Sequence, residues 1–168
     1  MNAEYRWLSP LNILLAEDER AVAFSIVFAL KGDGHRIQLV ADGGQALASI
    51  NVGADVFDLL ITDHSMPGMT GVELIQRLRQ ENFRGKIMVL SAHLSQENHA
   101  AYEALAVDAM VSKPFDVHHL RATIAQLATG MKPGVGENPL QLSSAALHNM
   151  LKSALEPDEP DDAFEGGS

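Results

Sequence analysis

The sequence has no cysteine among its 168 residues. That excludes a disulfide framework and thiolate metal sites. Long apolar runs are also missing. The longest strongly apolar stretch, Ala21 to Leu30, is about half of what a membrane span needs, so no membrane partner is expected. The opening ten residues, with Glu4, Arg6 and Pro10, lack a signal-peptide layout, and a cytoplasmic protein is expected. The segment 156–168 contains no base. It holds Glu156, Asp158, Glu159, Asp161, Asp162 and Glu165, whereas residues 1–155 carry 16 acids against 12 Lys and Arg within a formal total of −10. Such a tail cannot neutralise phosphates, which argues against direct nucleic-acid binding. Its composition predicts a solvated, disordered end. Gly32-Asp33-Gly34 and Asp42-Gly43-Gly44 fit neither a dinucleotide nor a Walker pattern and read as turns.

What is present suits one domain with a full core and an appendage. Strand-like runs occupy 11–16, 35–41, 56–62, 86–91 and 108–112. Helix-like stretches lie between and after them, at 19–31, 43–52, 71–81, 95–106 and 116–129. Regular alternation predicts an α/β protein with a doubly wound, five-stranded parallel sheet and five helices. The runs at 11–16, 56–62 and 86–91 are almost unbroken apolar sequences, as strands covered on both faces require. Residues 1–10 precede this domain, which spans 11–129. Gly130, Pro133, Gly134, Gly136 and Pro139 mark a linker over 130–142. A short helix is predicted at 143–155, capped by Ser143 or Ser144, ahead of the acidic tail at 156–168.

Four of the apolar runs end in polar groups: Glu17-Asp18 after the first, Asp63 after the third, Ser91 at the end of the fourth and Lys113 after the fifth. In open parallel sheets, ligands collect beyond the carboxyl ends of the strands. Each residue alone has an ordinary explanation. Glu17-Asp18-Glu19 could be acids favoured by a helix start, Asp63 a turn cap, Ser91 a loop hydroxyl and Lys113 a solvated surface cation. One site accounts for all four. Three carboxylates brought together repel unless a cation joins them, and Mg²⁺ takes carboxylate, water and phosphate oxygens. The chemistry then reads as phosphoryl transfer, with Asp63 as nucleophile and with Ser91 and Lys113 facing the phosphoryl oxygens.

The chain resembles a response regulator receiver domain, similar to the single-domain chemotaxis type. The resemblance rests on Leu14-Leu15-Ala16-Glu17-Asp18-Glu19, on Leu59-Leu60-Ile61-Thr62-Asp63-His64-Ser65-Met66-Pro67-Gly68-Met69-Thr70-Gly71, on Val89-Leu90-Ser91-Ala92, and on Val111-Ser112-Lys113-Pro114-Phe115. It covers about residues 10–129. It implies a flavodoxin-like strand order 2-1-3-4-5 and a phosphoacceptor at Asp63. The donor would be a histidine kinase or a histidine phosphotransfer domain. It also implies Mg²⁺ held by Asp18, Asp63 and the Ser65 backbone carbonyl, with Glu17 helping through water, and a cis Lys113-Pro114 bond. Ser91 would be the hydroxyl that shifts toward the phosphoryl group. The output face would be the fourth helix, fifth strand and fifth helix, with His99, Tyr102, Met110 and His119 meeting an unknown downstream protein. The family often has Tyr or Phe three residues before the lysine; Met110 stands there. An aspartyl-phosphate enzyme is a second reading, although that class wants an acid where Ser65 stands. A phosphorylation-independent scaffold or dimerisation module is a third, kept open by Met110.

The first helix is apolar nearly all round, which expects cover on both sides. Val22, Ile26, Ala29 and Leu30 can face the sheet, leaving Ala23, Phe24, Val27 and Phe28 outward. Phe24, Val27 and Phe28 are expected to dock a partner: a kinase or phosphotransfer domain, a second copy, or the chain's own helix near 144–155. The alternative is that Tyr5-Trp7-Leu8 folds over them. Adjacent His118 and His119 point about 100° apart on a helix and form no metal site.

Overall fold

The computed structural model describes residues 10–53 and 56–130. The segment 1–9 with its Tyr5-Trp7-Leu8 cover, the linker after Gly130, the helix at 143–155 and the acidic tail lie outside the described residues. Five strands alternate with five helices: β1 (Asn12–Ala16), α1 (Arg20–Gly32), β2 (Arg36–Val40), α2 (Gly43–Val52), β3 (Leu59–Asp63), α3 (Gly71–Gln80), β4 (Lys86–Ser91), α4 (Gln96–Ala104), β5 (Ala109–Ser112) and α5 (Val117–Ala128). Every strand pair is parallel and the order is β2-β1-β3-β4-β5. This is the doubly wound, flavodoxin-like α/β fold. The order reverses between β1 and β3, which opens a crevice at their carboxyl ends. Among the described residues no helix is long and apolar enough to cross a membrane.

Period-two alternation sorts the central strands onto two cores. Leu14, Leu60, Ile87 and Val89 pack with Ala46, Ile50, Leu74, Ile75 and Leu78 of α2 and α3. Ile13, Leu15, Leu59, Ile61, Met88 and Leu90 pack on the other face with Ile26, Leu30, Leu120, Ile124 and Leu127 of α1 and α5. A fully buried side chain of this size contributes about 1.5–3 kcal/mol, so these two layers hold the sheet. At the edge, β2 is mostly solvent-facing, as an outermost strand can be.

Two expectations shift. The third strand begins at Leu59 rather than 56, because the Asp58 carboxylate accepts from the Asn12 amide (2.8 Å) and ties the approaching chain to the start of β1. Asp63 is therefore the last residue of β3. Ala23, expected outward on α1, is buried at 1% exposure, and Val22 is only half-buried. The inward face is Ala23, Ile26, Ala29 and Leu30, a stripe at i, i+3, i+6 and i+7 led by a small residue where the helix meets the sheet.

Helix starts are set locally. Asp42, Thr70, Ser95 and Asp116 each accept a backbone N–H of the first turn of α2, α3, α4 and α5. In α3 the Glu73 carboxylate also bonds back to the Thr70 amide (2.8 Å), completing a capping box. The Lys113-Pro114 bond is cis, as the resemblance implies.

Candidate functional site

Parallel pairing brings the polar strand ends to one edge. Asp63 pairs with Leu90, so Ser91 lies one residue further along the neighbouring strand. Ser91 pairs with Ser112, and the Lys113 amide donates to the Ser91 carbonyl (2.7 Å). The Lys113 ammonium is then 3.1 Å from Asp63 Oδ1 and 2.8 Å from Glu17 Oε2. Glu17, Asp18 and Asp63 each place a carboxylate oxygen within 4.8 Å of the others. Ser91 is buried and its Oγ accepts from the His93 amide (3.2 Å). Ser65 is exposed on the turn after β3.

The ordinary explanations for these acids meet specific geometry. The side chain of Glu19, the residue before α1, makes no capping bond, and the first turn of α1 contains no acid. Glu17 Oε1 accepts from the Glu19 amide (3.2 Å), a local turn contact, while its other oxygen points to the lysine. Asp63 caps nothing among the described residues; its carboxylate meets Lys113.

Charge is out of balance here. Three clustered carboxylates, two of them buried, have one ammonium, which contacts the two buried ones. Burial pushes the Glu17 carboxyl above the usual range, and the nearby Lys113 only partly opposes this. Burial would lower Lys113, but hydrogen bonding and charge from Glu17 and Asp63 outweigh it and hold the ammonium above its ordinary value. Glu17 Oε2 is buried 2.8 Å from the Lys113 ammonium. An all-oxygen set of three clustered carboxylates that share one ammonium fits a hard divalent cation.

The expected docking residues divide. Phe24 and Phe28 are 63% and 86% exposed, and Val27 is half-buried between them. Met110 is partly buried against the core beside α3 and α4. Tyr102 is not a surface residue: it is 0% exposed and packs in that same core, which corrects its placement on a docking face. It is the only buried residue of α4, whose other members are polar side chains and three alanines.

Sequence reasoning passed over what Tyr102 touches. Its hydroxyl lies 2.7 Å from His64 Nδ1, and the two rings meet edge to face. Asn98 of α4 places its amide nitrogen 3.1 Å from His64 Nε2. Gly71 closes the group. A Cβ there would stand 2.7 Å from Tyr102 Oη and 2.8 Å from the Asp63 carbonyl oxygen, so only glycine fits. The available signal was a histidine directly after the rim acid, facing a helix with one large apolar side chain.

Residues 13–125 match the family model of the response regulator receiver domain. The chain is 31% identical over 121 residues to the transcriptional regulatory protein TcrA of Mycobacterium tuberculosis, covering 72% of this chain and 47% of that protein. It is 32% identical over 125 residues to the phosphate regulon transcriptional regulatory protein PhoB of Rhizobium meliloti, covering 73% and 54%. It thus spans about half the length of these relatives. A solved CheY-like receiver domain from Methanospirillum hungatei superposes with a TM-score of 0.68 at 25% identity, covering 73% of this chain and 96% of that one.

Proposed function

The chain belongs to the response regulator receiver family, and from that premise we propose that Asp63 is the phosphoacceptor of a two-component signalling step. A receiver is a regulatory phospho-acceptor rather than a classical enzyme, and its partners include histidine kinases. The observation that supports the assignment is the Lys113 ammonium held between Glu17 and Asp63, beside the exposed Asp18.

The donor is a phosphohistidine on a kinase or phosphotransfer domain. An Asp63 carboxylate oxygen bonds to phosphorus as the P–N bond breaks. The electron pair stays on the imidazole nitrogen, which takes a proton from water. Lys113 offers positive charge and Ser91 a hydroxyl to the phosphoryl oxygens as they arrive. Water later attacks the acyl phosphate, releasing inorganic phosphate and restoring the carboxylate. Asp18, Asp63 and the Ser65 carbonyl would hold Mg²⁺, with Glu17 assisting through water. Bound there, the ion supplies charge that offsets repulsion between the carboxylates and the phosphoryl group. The phosphorylated protein favours one of two surface states, read on α4, β5 and α5 by a downstream protein through residues such as His99, Met110 and His119.

Phe24, Val27 and Phe28 are the proposed docking patch for the phosphohistidine donor. Contiguous exposed apolar surface of this kind marks interaction sites. Replacing Phe24 and Phe28 with Glu is expected to slow transfer from a protein donor and to leave uptake from a small acyl phosphate unchanged; equal slowing of both removes the docking role.

Incubation with an acyl phosphate, with Mg²⁺ or with a chelator, tests the central assignment by intact mass. One phosphoryl group per chain, present only with Mg²⁺ and located at Asp63, is expected. No gain in mass leaves a phosphorylation-independent scaffold. Modification elsewhere removes Asp63 from its role.

A further inference from the structure

His64 follows the acceptor directly, and its backbone is held on two sides. Its amide donates to the Leu90 carbonyl of β4 (2.8 Å), and its carbonyl accepts from the Gly71 amide at the start of α3 (2.9 Å). The backbone that carries the ring is therefore fixed to the end of β3 and the start of α3. Both ring nitrogens are committed to one helix: Nδ1 to Tyr102 Oη at 2.7 Å and Nε2 to the Asn98 amide at 3.1 Å. Each contact joins a ring nitrogen to a group of α4 at hydrogen-bond distance, with donor and acceptor roles set by the tautomer.

Tyr102 is the only buried residue of α4, so the His64 contact falls on the one side chain that anchors this helix in the core, while Arg79 of α3 holds the chain just past its end. The tyrosine hydroxyl also senses the site directly. Burial first, and then the charge of Asp63, push it well above its ordinary titration range. Meanwhile β5 carries Met110, a flexible thioether.

We infer that His64 is a positioning residue that couples the state of Asp63 to the placement of α4, through Tyr102 and Asn98. This rests on the reading of Asp63 as phosphoacceptor. A change at the end of β3 reaches the first turns of α4 through two hydrogen bonds. The link is a short chain of directional contacts, and coupling along it is measurable as a difference between variants.

The test uses the full chain, an acyl phosphate with Mg²⁺, intact mass, and backbone amide NMR shifts of 96–104. Tyr102→Phe removes one hydroxyl and keeps the buried ring. Asn98→Ala removes the other bond from a half-buried position. Both variants are expected to take up phosphoryl groups within about twofold of the parent, since neither touches the Asp63 carboxylate. The shift of α4 amides on phosphorylation is expected to fall about fivefold in Tyr102→Phe, the lower end of ordinary coupling, and by less in Asn98→Ala. A purely structural role alters the resting spectrum and leaves the phosphorylation-dependent difference intact. If both variants are phosphorylated and their α4 shifts equal the parent's, the coupling is overturned while the acceptor assignment stands. If the parent gains no mass, the acceptor assignment falls and takes the coupling with it.

Discussion

Where the strands begin, Asp58 accepts from the Asn12 amide at 2.8 Å, and Asp108 takes the Ile87 amide on one oxygen and the Lys86 ammonium on the other, both at 2.9 Å. Where the strands end, Glu17 and Asp63 share a single ammonium, and Asp18 clusters with them. The side-chain types are the same at the two edges. At the first edge each acid has its own donors, and its work is to stitch neighbouring strands in register. At the second, three clustered acids have one ammonium between them. Surplus charge at the second edge is a standing cost to the fold, and a ligand that relieves it gains affinity from that relief.

The largest effect that tests this contrast is in reactivity. Asp63→Asn is expected to abolish phosphoryl uptake from an acyl phosphate, while Asp58→Asn leaves the rate within about twofold; intact mass against time decides, and a silent Asp63→Asn would erase the distinction. Lys113→Met should slow uptake by about 10²-fold, the usual scale for removing one charge-stabilising donor. Asp108→Ala is expected to lose about 1–2 kcal/mol in urea unfolding, because the Ile87 amide and Lys86 lose their partner, without slowing uptake. Mg²⁺ should do the reverse: at tenfold over its Kd it stabilises the parent by about 1.4 kcal/mol, and Asp18→Asn should forfeit most of that.

The smallest effect is a pH slope. Burial raises the folded-state pKa of Glu17, so the folded protein holds its proton more tightly than the unfolded chain. That contribution is complete below the ordinary glutamate value, about 4.3, and is lost as pH rises through the raised value. Without Mg²⁺, Glu17→Gln should flatten this decline and be the more stable protein at neutral pH. Lys113 is raised as well, so its contribution persists through neutral pH and fades only above about 10.4. Thermal unfolding across pH for the two proteins measures both limbs, and a steeper slope in Glu17→Gln would contradict the sign.

The sheet and its reactive edge were legible because continuous apolar runs mark doubly covered strands, and because acid, hydroxyl and ammonium each stood at the end of such a run. The fold places Asp63 and Glu17 on either side of the Lys113 ammonium. Tyr102 was not legible. One large apolar side chain among Gln96, Glu97, Asn98, His99 and Glu103 sets no helical phase, so nothing in α4 says which face is inside. Ala23 misled for the opposite reason. On a helix apolar all round, hydrophobicity cannot choose a face, and small size at the contact decided it. The bond from Asp58 to Asn12 trimmed β3 through a long-range contact that periodicity cannot register.

One contact of α3 bears on how α4 can respond. The Arg79 guanidinium donates to the Leu105 and Ala106 carbonyls, at 2.9 and 2.7 Å, just past the end of α4. The rear of that helix is pinned to a neighbour. The two ends of the helix are thus held by different neighbours, His64 at Asn98 in the first turn and Arg79 just beyond the last, so a change in either contact acts on one end of it.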